Sequence, residues 1–433
     1  MTDDKDLKPE QLKVINHEKG DILVSASAGS GKTFVMIKRL IRLITEGKAH
    51  VDEILAATFT EAAAADMKSK LKRALAEEIE NGNFKLAAEL NKVETSDICT
   101  LHSFCARLIR AYFFAAGVSP DFKVADASES SSLKEESVDE TFSSFYAEKN
   151  GEFLALIDRF RARRKDEPLK KVIGEIHDFC ESEPDPDKLL SAFERNFTAL
   201  GAEKFGEIFS DKLNAATKTV LNGLYALEKD CETAGYTAGA EQSREFIRIL
   251  SELVSGGAVY AKSVAEQNAV PSVTRQKPPE GREELKERLK DAKARIKSLY
   301  DCAAGAIISP EDLPGLYGCG KILKDVCVRF SEIYDRKKSE SNLLDFSDLE
   351  RFALKALKDE KVCAAVRKKY KYVFVDEYQD INGVQEEIVS KISDGNLFMV
   401  GDVKQSIYGF RGCRSDIFEN KEKTVAGNSC GNS

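Results

Sequence analysis

Asp21-Ile22-Leu23-Val24-Ser25-Ala26-Ser27-Ala28-Gly29-Ser30-Gly31-Lys32-Thr33 joins a short apolar run to the periodic segment Phe34-Val35-Met36-Ile37-Lys38-Arg39-Leu40. The pattern predicts a strand, a glycine-rich turn and a helix in immediate succession. Such a turn is a phosphate cradle. Gly29 and Gly31 let backbone N–H groups point inward, and the helix start adds its positive end. Lys32 places a point charge at the terminal phosphates, and Thr33 offers a hydroxyl to Mg2+. A nucleoside triphosphate is the expected ligand, cradled by Ala28, Gly29, Ser30, Gly31, Lys32 and Thr33.

Further apolar, β-rich runs lie at Ile54–Phe59, Asp97–Thr100, Tyr372–Asp376 and Asn396–Val400, with helical patterns between them. A parallel sheet wrapped by helices is expected, so the fold class is α/β. The stretch from about 125 to 335 reads as almost wholly helical. Within it Leu285, Leu289, Ala292, Ile296 and Leu299 form one apolar stripe on a charged helix. A chain of 433 residues is long enough for two or three packed units. The expected division is a first sheet part at 1–124, a helical insert at 125–335, a second sheet part at 336–420 and an irregular tail at 421–433.

Composition excludes several classes. No apolar run has the length of a membrane span, and the N-terminal residues carry no secretory pattern, so a cytoplasmic protein without membrane contact is expected. Ten cysteines are scattered without Cys-x-x-Cys spacing, which implies buried free thiols and no metal cluster. The formal net charge of -8 argues against coating of nucleic acid by the whole surface and leaves room for a local basic groove. Two basic stretches stand out: Arg159, Arg161, Arg163, Arg164 and Lys165, and the helix from Arg282 to Lys297. A solvated charged face explains such stretches more often than phosphate contact does.

Two later segments carry chemistry. Tyr372-Val373-Phe374-Val375-Asp376-Glu377-Tyr378-Gln379-Asp380 is a buried strand that ends in carboxylates at the sheet edge expected to hold the phosphate loop. Asp376 is the candidate Mg2+ ligand, and Glu377 the residue that orients the attacking water. Phe398-Met399-Val400-Gly401-Asp402-Val403-Lys404-Gln405-Ser406-Ile407-Tyr408-Gly409-Phe410-Arg411-Gly412 is a second strand with a polar exit. Gln405 is placed to sense the γ-phosphate, while Tyr408, Phe410 and Arg411 suit a stacking platform for unpaired bases.

Together these segments resemble the UvrD-like superfamily 1 helicases, and within them the AddA-type subunits of helicase–nucleases, from Leu7 to about Phe418. Leu7-Lys8-Pro9-Glu10-Gln11 is similar to the family's adenine-reading motif, with Gln11 as reader, and Arg39 matches an arginine that packs near the base. Thr58-Phe59-Thr60-Glu61-Ala62-Ala63-Ala64-Ala65-Asp66-Met67 and Thr100-Leu101-His102-Ser103-Phe104-Cys105 resemble two DNA-contacting motifs. The resemblance makes Phe59, Thr60, His102 and Ser103 strand-binding candidates. Leu344-Asp345-Phe346-Ser347-Asp348-Leu349 matches a further family motif.

The resemblance implies a RecA-like P-loop NTPase domain with a large all-helical insert, using ATP and Mg2+. It implies a 3′–5′ helicase of recombinational double-strand break repair that acts on single-stranded and double-stranded DNA and whose partner is an AddB-like nuclease subunit. The family's second RecA-like domain and the AddA nuclease domain have no counterpart here, so a truncated chain that binds Mg-ATP and single strands is expected. The alternative is a catalytically silent ATP- and DNA-binding module, since Lys32, Asp376, Glu377 and Gln405 are compatible with both.

Overall fold

The computed structural model describes residues 7–17, 20–25, 31–160, 166–196, 199–266, 270–305, 313–402 and 414–429. Strands among them are β1 (Ile22–Ser25), β2 (Ile54–Thr58), β3 (Asp97–Thr100), β4 (Lys123–Val124), β5 (Leu343–Leu344), β6 (Tyr372–Val375) and β7 (Leu397–Gly401). The five apolar runs of the sequence supply one parallel sheet in the order β1-β7-β6-β2-β3, while β4 and β5 pair as a separate parallel ribbon. The register sets Ser25 beside Gly401, Ala57 beside Val375 and Thr58 beside Thr100. Parallel strands all exit on one edge. The phosphate loop after β1, the acidic turn after β6 and the polar turns after β2 and β3 therefore share that edge.

Both sheet faces are covered, which is why the strand sequences are continuously apolar rather than alternating. On one face Met36 and Leu40 from the helix Lys32–Thr45 and Met67 and Leu71 from Glu61–Glu80 pack with Ile54, Phe374 and Phe398. On the other, Phe104 and Leu108 of Leu101–Ala111, Leu349 and Ala353 of Phe346–Ala356, and Ile388 and Val389 of Gly383–Ile392 pack with Val373, Val375 and Met399.

Each chain exit is turned into a helix by a side-chain cap. Thr60 Oγ1 accepts from Ala63 N–H at 3.1 Å, Thr100 Oγ1 from Ser103 N–H at 3.2 Å, and Asn382 Oδ1 from Gln385 N–H at 2.8 Å. Such caps contribute about 1 kcal/mol each and fix where the helix begins. Asp345 caps Phe346–Ala356 through Asp348 N–H at 2.9 Å, and both carboxylates sit beside the buried Lys338 Nζ, 3.3 Å and 2.6 Å away. Burial and the neighbouring Asp345 push the Asp348 carboxyl up to about 6.

Gly401 ends β7 where no side chain fits. A Cβ there would lie 2.4 Å from Gln379 Oε1 and 2.6 Å from Phe418 Cε2. Overpacking of this kind costs about 1–3 kcal/mol. Gly401→Ala is expected to lower the urea midpoint by that amount while far-ultraviolet circular dichroism stays helical; an unchanged midpoint would contradict the close approach.

Chain contacts divide the molecule into two compact units, Met1–Leu190 with Asp325–Ser433, and Ser191–Lys324. The second contains the helices Ala199–Thr233 and Thr237–Glu266 and the helix Glu284–Gly305, which pack on one another. Leu285, Leu289, Ala292 and Ile296 of the apolar stripe are buried there against Leu224, Phe246 and Leu250. The basic residues of that helix are matched by carboxylates: Arg288 with Asp230 at 2.7 Å, Arg295 with Asp291 at 2.8 Å and Lys290 with Glu287 at 2.7 Å. This stretch is a solvated charged face. The basic residues 161–165 lie outside the described residues.

Residues expected to begin an irregular tail at 421 continue a helix, Ser415–Ser429. Phe418 anchors it, fully buried with its ring 6.4 Å from Tyr378. Among the described residues no helix is long and apolar enough to cross a membrane, and the described cysteines are free thiols.

Candidate functional site

Gly31 closes the glycine-rich turn with φ +85°, a left-handed conformation that glycine adopts without strain. Its α-carbon faces Gln11: a Cβ would stand 3.4 Å from Gln11 Nε2. The Gln11 Oε1 accepts Lys8 N–H at 3.0 Å, so the amide is held with its nitrogen toward the turn. Lys32, the first residue of the next helix, has its Nζ buried without a hydrogen-bond partner. Buried polar atoms are rarely left so, and an orphaned amine at a helix start fits an anionic group.

Across the edge, Asp376 N–H donates to Ala57 O at 2.9 Å, which extends the β2–β6 ladder up to the acidic turn. Burial and then the adjacent Glu377 carboxylate push the Asp376 carboxyl up to about 6, against the opposing pull of Glu377 N–H and Lys32. Glu377 itself sits at φ 51° and ψ 44°. A non-glycine residue held in this left-handed region carries strain of about 1–3 kcal/mol, and such strain clusters at functional sites. Gln379 Nε2 holds the Glu377 side chain, donating to Oε2 at 2.8 Å, and Asp402 N–H donates to Gln379 Oε1 at 2.9 Å. Thr33, Asp376 and Glu377 line one cavity of about 410 Å³ together with Phe59, Thr60 and Lys70. The hard oxygens of Thr33 and Asp376 are of the type that Mg2+ takes.

The strand-binding candidates converge at a neighbouring cavity of about 570 Å³, lined by Phe59, His102, Ser103, Arg107, Arg110 and Phe346 among others. Phe59 and Phe346 are 37% and 50% exposed, large for phenylalanine. The His102 and Phe346 rings lie 4.9 Å apart. Glu61 Oε1 stands 2.8 Å from the Thr100 hydroxyl and 2.7 Å from the Ser103 hydroxyl, so it ties the two motifs together. Those two hydrogen bonds hold the Glu61 carboxyl below its usual value.

Three contributors to this geometry were not singled out as site residues by sequence. Phe346 belongs to a recognised motif, yet its proximity to His102 depends on packing between distant segments. Glu61 was inside a quoted motif, and its carboxylate acts through hydroxyls forty residues onward. Gln379 follows the acidic pair and carries no motif signal of its own.

Arg39 is not brought to the Thr33 cavity. It is buried, donates through Nη1 to Val14 O at 2.9 Å and Ile15 O at 3.2 Å, and lies over the Phe398 ring. It lines a different cavity of about 470 Å³ with Ile22, Tyr372 and Leu397, at the amino edge of the sheet. Ala28, Gly29, Ser30, Gln405, Tyr408, Phe410 and Arg411 lie outside the described residues.

Residues 7–426 match the UvrD/REP helicase N-terminal domain. The chain is similar to the AddA subunit of the ATP-dependent helicase/nuclease of Syntrophomonas wolfei, 33% identical over 96% of this chain and 35% of that protein. The protein of the same name from Clostridioides difficile is 32% identical over 95% of this chain and 35% of its own length. That from Bacillus pumilus is 32% identical over 96% and 36%. The chain thus spans about a third of the length of these relatives. With a domain match over nearly its whole length and the cradle, acidic turn and aromatic cavity on one sheet edge, the chain belongs to the UvrD/REP helicase family.

Proposed function

We infer that this chain is the ATP- and single-strand-binding part of an ATP-dependent DNA helicase of double-strand break repair, with its sheet acting as a RecA-like domain that carries a large helical insert. One observation carries the reading: Phe59 lines both the cavity of Thr33, Asp376 and Glu377 and the cavity of His102, Ser103 and Phe346. A nucleotide site and a strand site with a common wall suit an enzyme in which one ligand acts on the other.

The residues fit ATP and Mg2+. The Lys32 amine would meet the terminal phosphates, Thr33 and Asp376 would hold the metal, and Gln11 would read the base edge. Bound Mg2+ supplies neutralising charge to the phosphoryl group. Glu377, oriented by Gln379, holds the attacking water, and Gln405 follows the γ-phosphate. On the strand side, Phe59 and Phe346 stack unpaired bases, Thr60 and Ser103 offer hydroxyls to phosphates, and Tyr408, Phe410 and Arg411 extend the platform. The names of the relatives support a helicase–nuclease assembly in which duplex DNA is the substrate and the partner is an AddB-like nuclease subunit.

The test is binding of a fluorescent ATP analogue and of a fluorescein-labelled oligothymidine to the chain. Phe346→Ala is expected to weaken oligonucleotide binding by about 1–3 kcal/mol, the usual worth of one stacked base, with nucleotide affinity unchanged. If the oligonucleotide does not bind, or binds the variant equally well, the strand-site assignment is wrong.

A further inference from the structure

One buried carboxylate joins the strand cavity to the turn that carries Asp376 and Glu377. Glu350, on the helix Phe346–Ala356, is 3% exposed. Its Oε1 lies 2.8 Å from His102 Nε2 and accepts from Gln385 Nε2 at 2.5 Å. Its Oε2 accepts from Asn382 Nδ2 at 2.8 Å. Asn382 is the cap of the helix Gly383–Ile392, and the backbone reaches it directly from Gln379 and Asp380. Gln379 in turn holds Glu377. The route from the His102 ring to the Glu377 carboxylate thus consists of hydrogen bonds, one short backbone segment and a helix cap.

A buried carboxylate needs its donors, because each lone pair left unmatched in low dielectric is costly. His102 supplies one donor to Glu350 and also faces the strand cavity. A phosphate or base that takes the His102 Nε2–H removes that donor, and Glu350 must then draw harder on Asn382 and Gln385. Those two residues set the start of the helix that follows the acidic turn. We propose that Glu350 is a positioning residue that couples strand occupancy at His102 to the placement of Glu377 in the nucleotide site. The proposal rests on the reading given under Proposed function and deepens it.

Coupling between two ligands is reciprocal and is read as a ratio of affinities. The affinity of the full chain for a fluorescent, non-hydrolysable ATP analogue with Mg2+ is measured with and without saturating oligothymidine. The wild-type ratio is expected to fall between about 5 and 150. Glu350→Gln, which faces one donor with an amide N–H, is expected to bring the ratio to within about twofold of unity. Asn382→Asp keeps the cap oxygen for Gln385 N–H but turns an acceptor toward Glu350, and the same loss is expected; it decides the matter if Glu350→Gln does not fold. A purely structural role would weaken both ligands and leave the ratio alone. A ratio retained in the variants, or absent from a wild type that binds both ligands, overturns the proposal by itself. A wild type that binds neither ligand overturns the functional reading and the proposal with it.

Discussion

Lys32→Met is expected to lose nucleotide and gain stability in the same protein. The Lys32 Nζ is buried without a hydrogen-bond partner, and its nearest stated electrostatic influence is the pull it exerts on Asp376. An unmatched buried polar group costs about 1–3 kcal/mol, more when charged. The ligand-free protein therefore carries that cost until an anion arrives, and methionine of similar length removes it. Urea unfolding of the variant without nucleotide is expected to show a gain of about 1–2 kcal/mol. Its affinity for the fluorescent ATP analogue is expected to drop by about 10- to 100-fold, because a hydrogen bond to a charged group is worth about 1.5–3 kcal/mol. A variant less stable than the wild type, or one that binds nucleotide as well, would show that Lys32 is a packing residue.

The sheet was legible because strands buried on both faces leave an unbroken apolar run. Ile54–Phe59 and Tyr372–Asp376 needed no knowledge of their neighbours to be read. The strand order was not legible, since nothing in Leu397–Gly401 says that it lies between β1 and β6. Glycine and lysine at motif spacing exposed the cradle, and a carboxylate pair after a strand exposed the acidic turn. Glu350 and Phe346 escaped for a physical reason. Their roles arise from contact with His102, more than two hundred residues earlier, and a long-range contact leaves no local period in the sequence. Arg39 shows the converse: a motif match placed it by the base, while its hydrogen bonds hold the end of the helix Pro9–Ile15 against the helix Lys32–Thr45.

Phe59 and Glu61 stand close together on the turn after β2, one on the wall between cavities and the other on the hydroxyls of Thr100 and Ser103. The helix cap at Thr60 lies between them. Any shift of that turn changes both cavities at once. Parallel topology makes such sharing unavoidable, because every functional turn must leave the sheet on one edge.

Stability is expected to fall as pH drops below about 6.5, with His177 as a principal cause. The ring is 5% exposed, with Nδ1 3.0 Å from Ser331 Oγ and its face against Phe330 and Tyr334. Burial, reinforced by Lys134 and Lys338, lowers its pKa from 6.5 to about 3. Above 6.5 the ring is neutral in both folded and unfolded chains, so it contributes no pH dependence. Between 6.5 and about 3 the unfolded chain binds the proton and the folded one does not, so stability declines on acidification. From pH 7.5 to 5 the loss is expected to be about 2 kcal/mol, at about 1.4 kcal/mol for each unit below the unfolded pKa. Asp348, with its carboxyl pushed up to about 6, works in the opposite sense, since the folded state then binds the extra proton. The difference between wild type and His177→Gln removes that contribution from the comparison. Urea midpoints of the variant are expected to change less between pH 7.5 and 5 than those of the wild type, by roughly the same 2 kcal/mol. Equal slopes would mean that His177 is protonated in the folded protein, with Asp345 near enough to hold the charge.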